Sequence, residues 1–242
     1  LTNRPAEQRE KIRIAIIGSG MAGKFHIGNY LNMPDVEIVA ICDQDEREAR
    51  ATAEYFHIPH VYTDHREMIA RDDLDAVDVA LHNNLHRQAA IDVMRAGKHC
   101  YCEKPIAGSY ADGLRMLETA KETGKMLHVQ MAFLYNNETR AAKSIIDEGR
   151  LGRIYHARAS GFRRRNRPYV DGYGNPDFVV KELCAGGALF DAGIYNITQV
   201  LYLMGLPKVE RVSGKIYQEV PMEPSRKEKS GFNVEEFAQA LV

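Results

Sequence analysis

The apolar positions change rhythm halfway along the chain. In the first half, short aliphatic runs alternate with longer segments whose apolar residues recur three and four positions apart. Residues 12–17 (Ile-Arg-Ile-Ala-Ile-Ile) form the first run and end at Gly18, as a buried parallel strand does. A helix-compatible segment follows over 21–31, and Pro34 closes it. The same alternation predicts a strand over 36–42 and a helix over 45–56 with acidic residues in its first turn. Asp64 and Glu67, in capping-box spacing, open a short helix. A strand is expected over 76–81, a helix over 86–96 stopped by Gly97, and a strand over 99–102. Ser109 caps a helix running to about Thr123 and stopped by Gly124, and a strand follows over 126–131. This β-α-β-α series predicts a parallel sheet covered by helices on both faces.

The second half keeps another rhythm. Residues 138–148 are helical, 154–162 read as a strand, and 163–176 are irregular and rich in Gly, Pro and Arg. A helix is expected over 193–204, a long strand over 209–220, a charged loop over 221–231, and a last strand over 232–242. Strands with few helices suggest an antiparallel or mixed sheet, hence an α+β domain. The boundary falls near Gln130, giving domains over 1–130 and 131–242, a tight fit for 242 residues.

Composition removes several function classes. Lys and Arg total 32 against 33 Asp and Glu, a net charge of −1, which excludes a strongly basic nucleic-acid surface. With 45% hydrophobic and 27% charged residues, the chain can bury a core and is not disordered throughout. No apolar stretch approaches the ~20 residues of a membrane span, and residues 1–11 are polar, with no signal core. The chain does not begin with Met, so it is processed, trimmed or incomplete. Cys42, Cys100, Cys102 and Cys184 are too sparse for a disulfide framework; reduced thiols in a cytoplasmic setting are expected. There is no tryptophan, so any sugar-stacking platform must be Tyr or Phe.

The strongest local motif is Gly18-Ser19-Gly20-Met21-Ala22-Gly23, placed between a strand and a helix. The first Gly allows the tight turn, the second lets backbone approach a pyrophosphate, and the third lets helix and strand pack closely. The helix N-terminus offers N–H groups to phosphates. A glycine turn with no ligand is the alternative. Asp43 ends the next strand, 25 positions after Gly18. An acid there hydrogen-bonds ribose hydroxyls and repels a 2′-phosphate, favouring NAD while leaving NADP possible. As an alternative or in addition, Asp43 caps the next helix.

Four motifs in order resemble the glucose–fructose oxidoreductase / inositol dehydrogenase (Gfo/Idh/MocA) family. They are Gly18-x-Gly20-x-x-Gly23-x-x-His26, Leu81-His82-Asn83-Asn84-Leu85-His86, Ala96-Gly97-Lys98-His99 leading to Glu103-Lys104-Pro105, and Gly186-Gly187-Ala188-Leu189-x-Asp191-x-Gly193-x-Tyr195. The resemblance implies a Rossmann domain followed by an open, mostly antiparallel sheet domain, and pyridine-nucleotide oxidation or reduction of sugars, polyols and related carbinols. It implies a homodimer or tetramer formed through the second sheet. It places Ser19, Met21, Ala22, Leu81, Asn83, His86 and Glu103 beside the glycines and Asp43 at the cofactor, and Lys104 where cofactor meets substrate. Family chains are considerably longer, so the C-terminal part of the second domain is expected to be missing or supplied by a partner copy.

Hydride transfer from a carbinol also needs a base for the hydroxyl proton. The resemblance assigns that role to Tyr195, as in the family's Tyr-bearing subset; many other members carry His there. A free phenol has a pKa of about 10, and the charge of Lys104 would lower it. Asp191 would orient the substrate or Lys104. The plainer readings are a solvated Lys104, a packed Tyr195 and an N-capping Asp191. His82 replaces the family's usual proline, and Phe133-Leu134-Tyr135 stands where arginine is usual. In the cluster Arg163, Arg164, Arg165 and Arg167, Arg163 is a candidate grip on an acidic or phosphorylated sugar, although a solvated or interface loop is the stronger reading. His82-x-x-x-His86 and His99-Cys100-x-Cys102 lack a second ligand pair, so no metal site is expected. Two other functions remain open: an NAD-dependent glycoside hydrolase of the same family, and a non-catalytic nucleotide-binding regulator. Neither nucleic acid nor membrane is an expected partner.

Overall fold

The computed structural model describes residues 11–162, 176–219 and 221–242. Its contacts divide the chain into two units, Leu1–Val129 and Gln130–Val242. Strand β1 (Ile12–Ile17) organises the first and is buried from Ile14 onward. Ala15 and Ile17 pack with Met68, Ala90, Val93, Met94 and Met116, whereas Ile14 and Ile16 pack with Ile27, Ile41 and Ala53. Side chains alternate across a strand, so apolar partners on both sides demand helices above and below.

The elements that follow are α1 (Met21–Tyr30), β2 (Val36–Cys42), α2 (Glu46–Phe56), β3 (His60–Tyr62), α3 (His65–Ile69) and β4 (Ala76–Val79). After them come α4 (His86–Arg95), β5 (His99–Cys102), α5 (Tyr110–Thr123) and β6 (Leu127–Val129). The strands lie in the order β3-β2-β1-β4-β5-β6, and all their pairings are parallel. This is a doubly wound Rossmann sheet whose order reverses between β1 and β4. Ligands of such sheets bind beyond the strand C-termini at that reversal.

Local chemistry fixes the helix ends. Asp45 accepts the backbone N–H groups of Arg47 and Glu48, and Ser109 accepts that of Asp112; each such cap contributes ~1 kcal/mol. Gly97 and Gly124 take left-handed φ values of 79° and 65° where α4 and α5 stop. Strand β3 lies outside the sequence reading. His60-Val61-Tyr62 is too short to show a period, and it exists because it pairs with β2.

The second unit holds α6 (Asn137–Asp147), the short α7 (Lys181–Cys184), α8 (Ile194–Leu203), β7 (Ser213–Tyr217), α9 (Pro224–Ser230) and β8 (Phe237–Leu241). β7 and β8 pair antiparallel, Ser213 opposite Leu241 and Tyr217 opposite Phe237. Val179, Cys184, Phe232 and Val234 form a small core. The unit is therefore α+β with an antiparallel sheet.

Three expectations are corrected here. Residues 154–162 form no strand: Tyr155 and Phe162 are 86% and 88% exposed. Strand propensity expresses fit to a half-buried pleated surface, and no described strand pairs with them. The strands expected over 209–220 and 232–242 shrink to five residues each. Residues 221–231 hold a helix rather than a loop. Glu223 accepts the N–H groups of Ser225 and Arg226, Pro224 sits at the start, and Gly231 takes φ 64° at the end. Proline inside the start and glycine past the end are helix punctuation, which the dense charge of this stretch obscures. Among the described residues no helix is long and apolar enough to cross a membrane, and the four cysteines are free and buried.

Candidate active site

The turn after β1 gives its three glycines different tasks. Gly18 has φ +106°, and a Cβ there would lie 2.2 Å from the carbonyl oxygen of Ala80, just beyond β4. A Cβ on Gly23 would lie 2.0 Å from the carbonyl oxygen of Gly18. The protein's own backbone requires both, one for the turn and one for packing α1 against β1. Gly20 differs. Its φ of −68° and ψ of −171° suit any residue, and a Cβ would meet no protein atom within 4 Å. Here the missing side chain keeps space clear and does nothing for the fold. Gly20 also caps α1 without a side-chain acceptor, and the first turn carries no acid. The free N–H groups of that turn, at the reversal of the sheet, suit a pyrophosphate. The residues present therefore fit a dinucleotide.

Asp43 lies at the end of β2 and reaches back to this turn. Its Oδ2 accepts the backbone N–H and the hydroxyl of Ser19, both at 2.7 Å, and its Oδ1 accepts the Asp45 N–H at 3.0 Å. Asp43 does not cap α2; Asp45 does. Ser19 is fully buried, so its contribution is to lock Asp43 to the glycine turn. An ionised carboxylate has about four acceptor sites, and the three protein donors leave room for a ribose hydroxyl.

Two loops close the far side of the sheet's C-terminal edge. Leu81 packs against the core, and Asn83 is buried in the turn Asn83–Leu85. His86 is fully buried, with Nδ1 2.8 Å from the Pro105 oxygen and Nε2 2.9 Å from the Leu81 oxygen. It ties the loop after β4 to the loop after β5. Burial pushes its pKa down, against the pull of the two carbonyls. The Glu103 N–H donates to Val79, continuing the sheet, and Glu103 Oε2 accepts the Lys104 N–H at 2.8 Å. Glu103 Oε1 lies 3.0 Å from His26 Nε2. Both carboxylate oxygens thus have protein partners, and Glu103 serves the geometry of this turn. Lys104 is half-buried.

In the second unit, Asp191 sits within a π-helical turn, Leu189–Gly193, that leads into α8. It is not an N-cap, which removes the plainer reading of this residue. Single π turns inside helices recur at functional sites. Tyr195, in the first turn of α8, stacks on Phe133 with ring centroids 4.6 Å apart and planes 21° apart. Phe133 is one of the residues standing where arginine was expected by resemblance, and its aromatic ring supports the phenol. The carboxylate of Glu235 accepts the N–H groups of Gly187 and Leu189 at 2.8 and 3.2 Å, and its backbone oxygen accepts that of Ala188. A Cβ on Gly187 would lie 2.1 Å from that backbone oxygen. Glu235 therefore clamps the strap that carries Asp191. Arg163, Arg164, Arg165 and Arg167 lie outside the described residues.

Comparison with known proteins assigns both halves. The family model described as "Oxidoreductase family, NAD-binding Rossmann fold" matches residues 12–131, and that of the GFO/IDH/MocA C-terminal domain matches residues 139–242. The chain belongs to the Gfo/Idh/MocA oxidoreductase family. It is 33% identical over 215 residues to a D-glucoside 3-dehydrogenase of Escherichia coli, covering 88% of this chain and 60% of that protein. It is 30% identical over 176 residues to an inositol 2-dehydrogenase of Salmonella typhimurium, covering 71% of this chain and 51% of that one. The WlbA dehydrogenase of Bordetella pertussis, solved with NADH and UDP-GlcNAcA, superposes with a TM-score of 0.83 at 28% identity, covering 96% of this chain and 66% of that one. The chain spans little more than half the length of the curated relatives it matches.

Sequence reasoning missed His26 as part of a charge network, together with its partner Asp78, and missed Phe133 and Glu235. Asp78 had a legible signal: a lone carboxylate within Ala76-Val77-Asp78-Val79-Ala80-Leu81 must find a partner once the strand is buried.

Proposed function

We propose that the protein is an NAD-dependent oxidoreductase that moves a hydride between nicotinamide and a sugar, a polyol or a related carbinol. The observation that carries this reading is the division of labour in the glycine turn, where Gly20 alone keeps open the space a pyrophosphate needs. Backbone from Gly20 to Gly23, including Met21 and Ala22, supplies donors to the pyrophosphate, while Ser19 holds Asp43 to the turn. Asp43 takes ribose hydroxyls and disfavours a 2′-phosphate, so NAD is preferred to NADP. Leu81 and Asn83 line the nucleotide, while His86 and Glu103 hold the loops beside it. Bound nicotinamide supplies the hydride acceptor or donor. Tyr195 takes the carbinol proton. Lys104 lowers the phenol pKa by its charge and hydrogen-bonds the substrate oxygen. Asp191 orients the substrate, and the stack on Phe133 restrains the Tyr195 ring. Arg163 is a further candidate substrate contact.

The names of the relatives, a glucoside dehydrogenase and an inositol dehydrogenase, support a polyhydroxylated substrate. Assembly as a homodimer or tetramer through β7 and β8 is supported by Ile216, Phe237 and Leu241, which are exposed on a sheet that no further described strand extends. A reducing, cytoplasmic setting is supported by the free cysteines.

The test is absorbance at the NADH band with a panel of sugars, polyols and sugar acids, using NAD and NADP in turn. Accumulating NADH with at least one polyol supports the proposal, and Tyr195→Phe should then abolish most of the turnover. Redox-neutral cleavage of a glycoside would favour the hydrolase instead, and NAD binding with no turnover on any substrate would favour the regulator.

A further inference from the structure

Lys104 is flanked by residues held by two buried histidines. His86 holds the Pro105 carbonyl, as described. His26, on α1, holds Glu103, and its surroundings differ in kind. Its Nδ1 lies 2.8 Å from Asp78 Oδ2 and its Nε2 3.0 Å from Glu103 Oε1, with the side chain only 5% exposed. Carboxylates accept and do not donate when ionised, so a ring between two of them must carry a proton on both nitrogens. A neutral His26 would leave one nitrogen lone pair facing a carboxylate.

Every element packed against the ring is consistent with a cation. From α1, Tyr30 donates its hydroxyl to the same Asp78 oxygen at 2.8 Å, and Phe25 adjoins with its ring tilted. From β5, Tyr101 meets the imidazole edge-on at 5.6 Å and stacks on His128 of β6 at 5.3 Å. The thiols of Cys100 and Cys102 are buried nearby and pushed toward the neutral form by burial. Asp78 Oδ1 is buried and finds no hydrogen-bond partner, so the carboxylate depends on His26 and Tyr30. Burial alone would lower the His26 pKa; the bonds and charges of Asp78 and Glu103 outweigh it and push it up to about 10. Glu103 is lowered against its own burial by His26 and by the Lys104 N–H and charge.

We propose that His26 is a positioning residue, a buried imidazolium that ties Glu103 to Asp78 and thereby fixes the backbone from which Lys104 projects. The path is short and continuous. Asp78 belongs to β4, His26 grips it and Glu103 together, and the other oxygen of Glu103 holds the Lys104 N–H. The catalytic consequence rests on the role proposed above for Lys104. The charge state and the geometric coupling do not.

The experiment has two arms. In the first, the nucleotide-free protein is labelled with 15N-histidine, and the His26 signals are identified by their loss in His26→Gln. Long-range 1H–15N correlation should show both ring nitrogens protonated from about pH 6 to about pH 9, whereas an unperturbed histidine titrates near 6.5. A neutral ring at pH 8 overturns the proposal, whatever the enzyme does. In the second arm, acylation of Lys104 by an amine-directed reagent is followed by peptide mass spectrometry, with exposed Lys121 as internal reference. His26→Gln should change the Lys104 rate severalfold relative to Lys121, and an unchanged ratio overturns the positioning role. Where turnover is measurable, kcat should fall on the order of tenfold with KM for NAD little changed, because misplacement acts on the chemical step. His26→Gln/Glu103→Gln should be no worse than the poorer single variant, and additive losses would count against coupling. If the wild type turns over nothing, the proposed function fails while the NMR and acylation arms still decide this inference.

Discussion

The three glycines of the turn after β1 allow a sharp test, because the structure sorts them by what their missing side chains avoid. Consider Gly18→Ala, Gly20→Ala and Gly23→Ala made separately. At Gly23 the new Cβ would be placed 2.0 Å from a backbone oxygen, more than 1 Å inside ordinary contact, and neither partner is a side chain that could swing away. Overpacking typically costs about 1–3 kcal/mol, and an overlap between backbone groups belongs at the upper end, ~3 kcal/mol. At Gly18 a similar overlap with Ala80 is added to a φ of +106°, itself worth about 1–3 kcal/mol for a residue with a Cβ. At Gly20 the Cβ meets nothing and the backbone is unstrained, so stability should change by no more than ~0.5 kcal/mol. Thermal melting followed by circular dichroism should place Gly23→Ala lower by roughly 6–12 °C and Gly18→Ala lower still, with Gly20→Ala at the wild-type midpoint. A melt in which Gly20→Ala is the most damaged of the three would refute this reading of the turn.

Other consequences follow from the same contacts. His26 has a folded-state pKa raised to about 10 from 6.5, so its stabilisation is complete below pH ~6.5 and is lost as pH rises toward 10; between pH 7 and 9.5 the loss is about 3 kcal/mol. Urea midpoints at those two pH values should show that drop in the wild type and little of it in His26→Gln; equal slopes in the two proteins would count against the charged ring. Glu235→Ala strips two N–H groups of their acceptor and should cost about 1–3 kcal/mol; hydrogen exchange should quicken at Gly187 and Leu189, and unchanged protection there would be inconsistent with the clamp. Asp43→Ser should narrow the preference for NAD over NADP in paired titrations, because it removes the acid that disfavours a 2′-phosphate; an unchanged ratio would detach Asp43 from cofactor choice.

The first unit was legible because its signals are local. β1, β2 and β5 are unbroken runs with the bounds read from the sequence, and Ser109 and Gly124 cap α5 within their own neighbourhood. Gly18-x-Gly20-x-x-Gly23 announced a turn, but three identical letters could not reveal that only Gly20 faces open space; Gly18 is closed in by Ala80, distant in the sequence, and Gly23 by the Gly18 carbonyl. The His26, Asp78 and Glu103 network joins an α1 residue to two loop-proximal acids across 52 and 77 positions, and no periodicity connects them. In the second unit, β-branched and aromatic residues at 154–162 suggested a strand, but propensity cannot supply a neighbour. Pro224 and Gly231 marked α9, and its charged face hid the helix. The stack of Phe133 on Tyr195 was likewise out of reach, since it joins a turn to α8.

The central claim is that the space beside Gly20 receives the pyrophosphate of NAD. Isothermal titration of NAD into wild-type protein and into Gly20→Val tests it most directly, with melting curves run on the same samples. The wild type should bind NAD saturably, and Gly20→Val should lose at least ~100-fold in affinity, about 2.7 kcal/mol, at an unchanged melting midpoint. Equal affinity for NAD in the two folded proteins would contradict it.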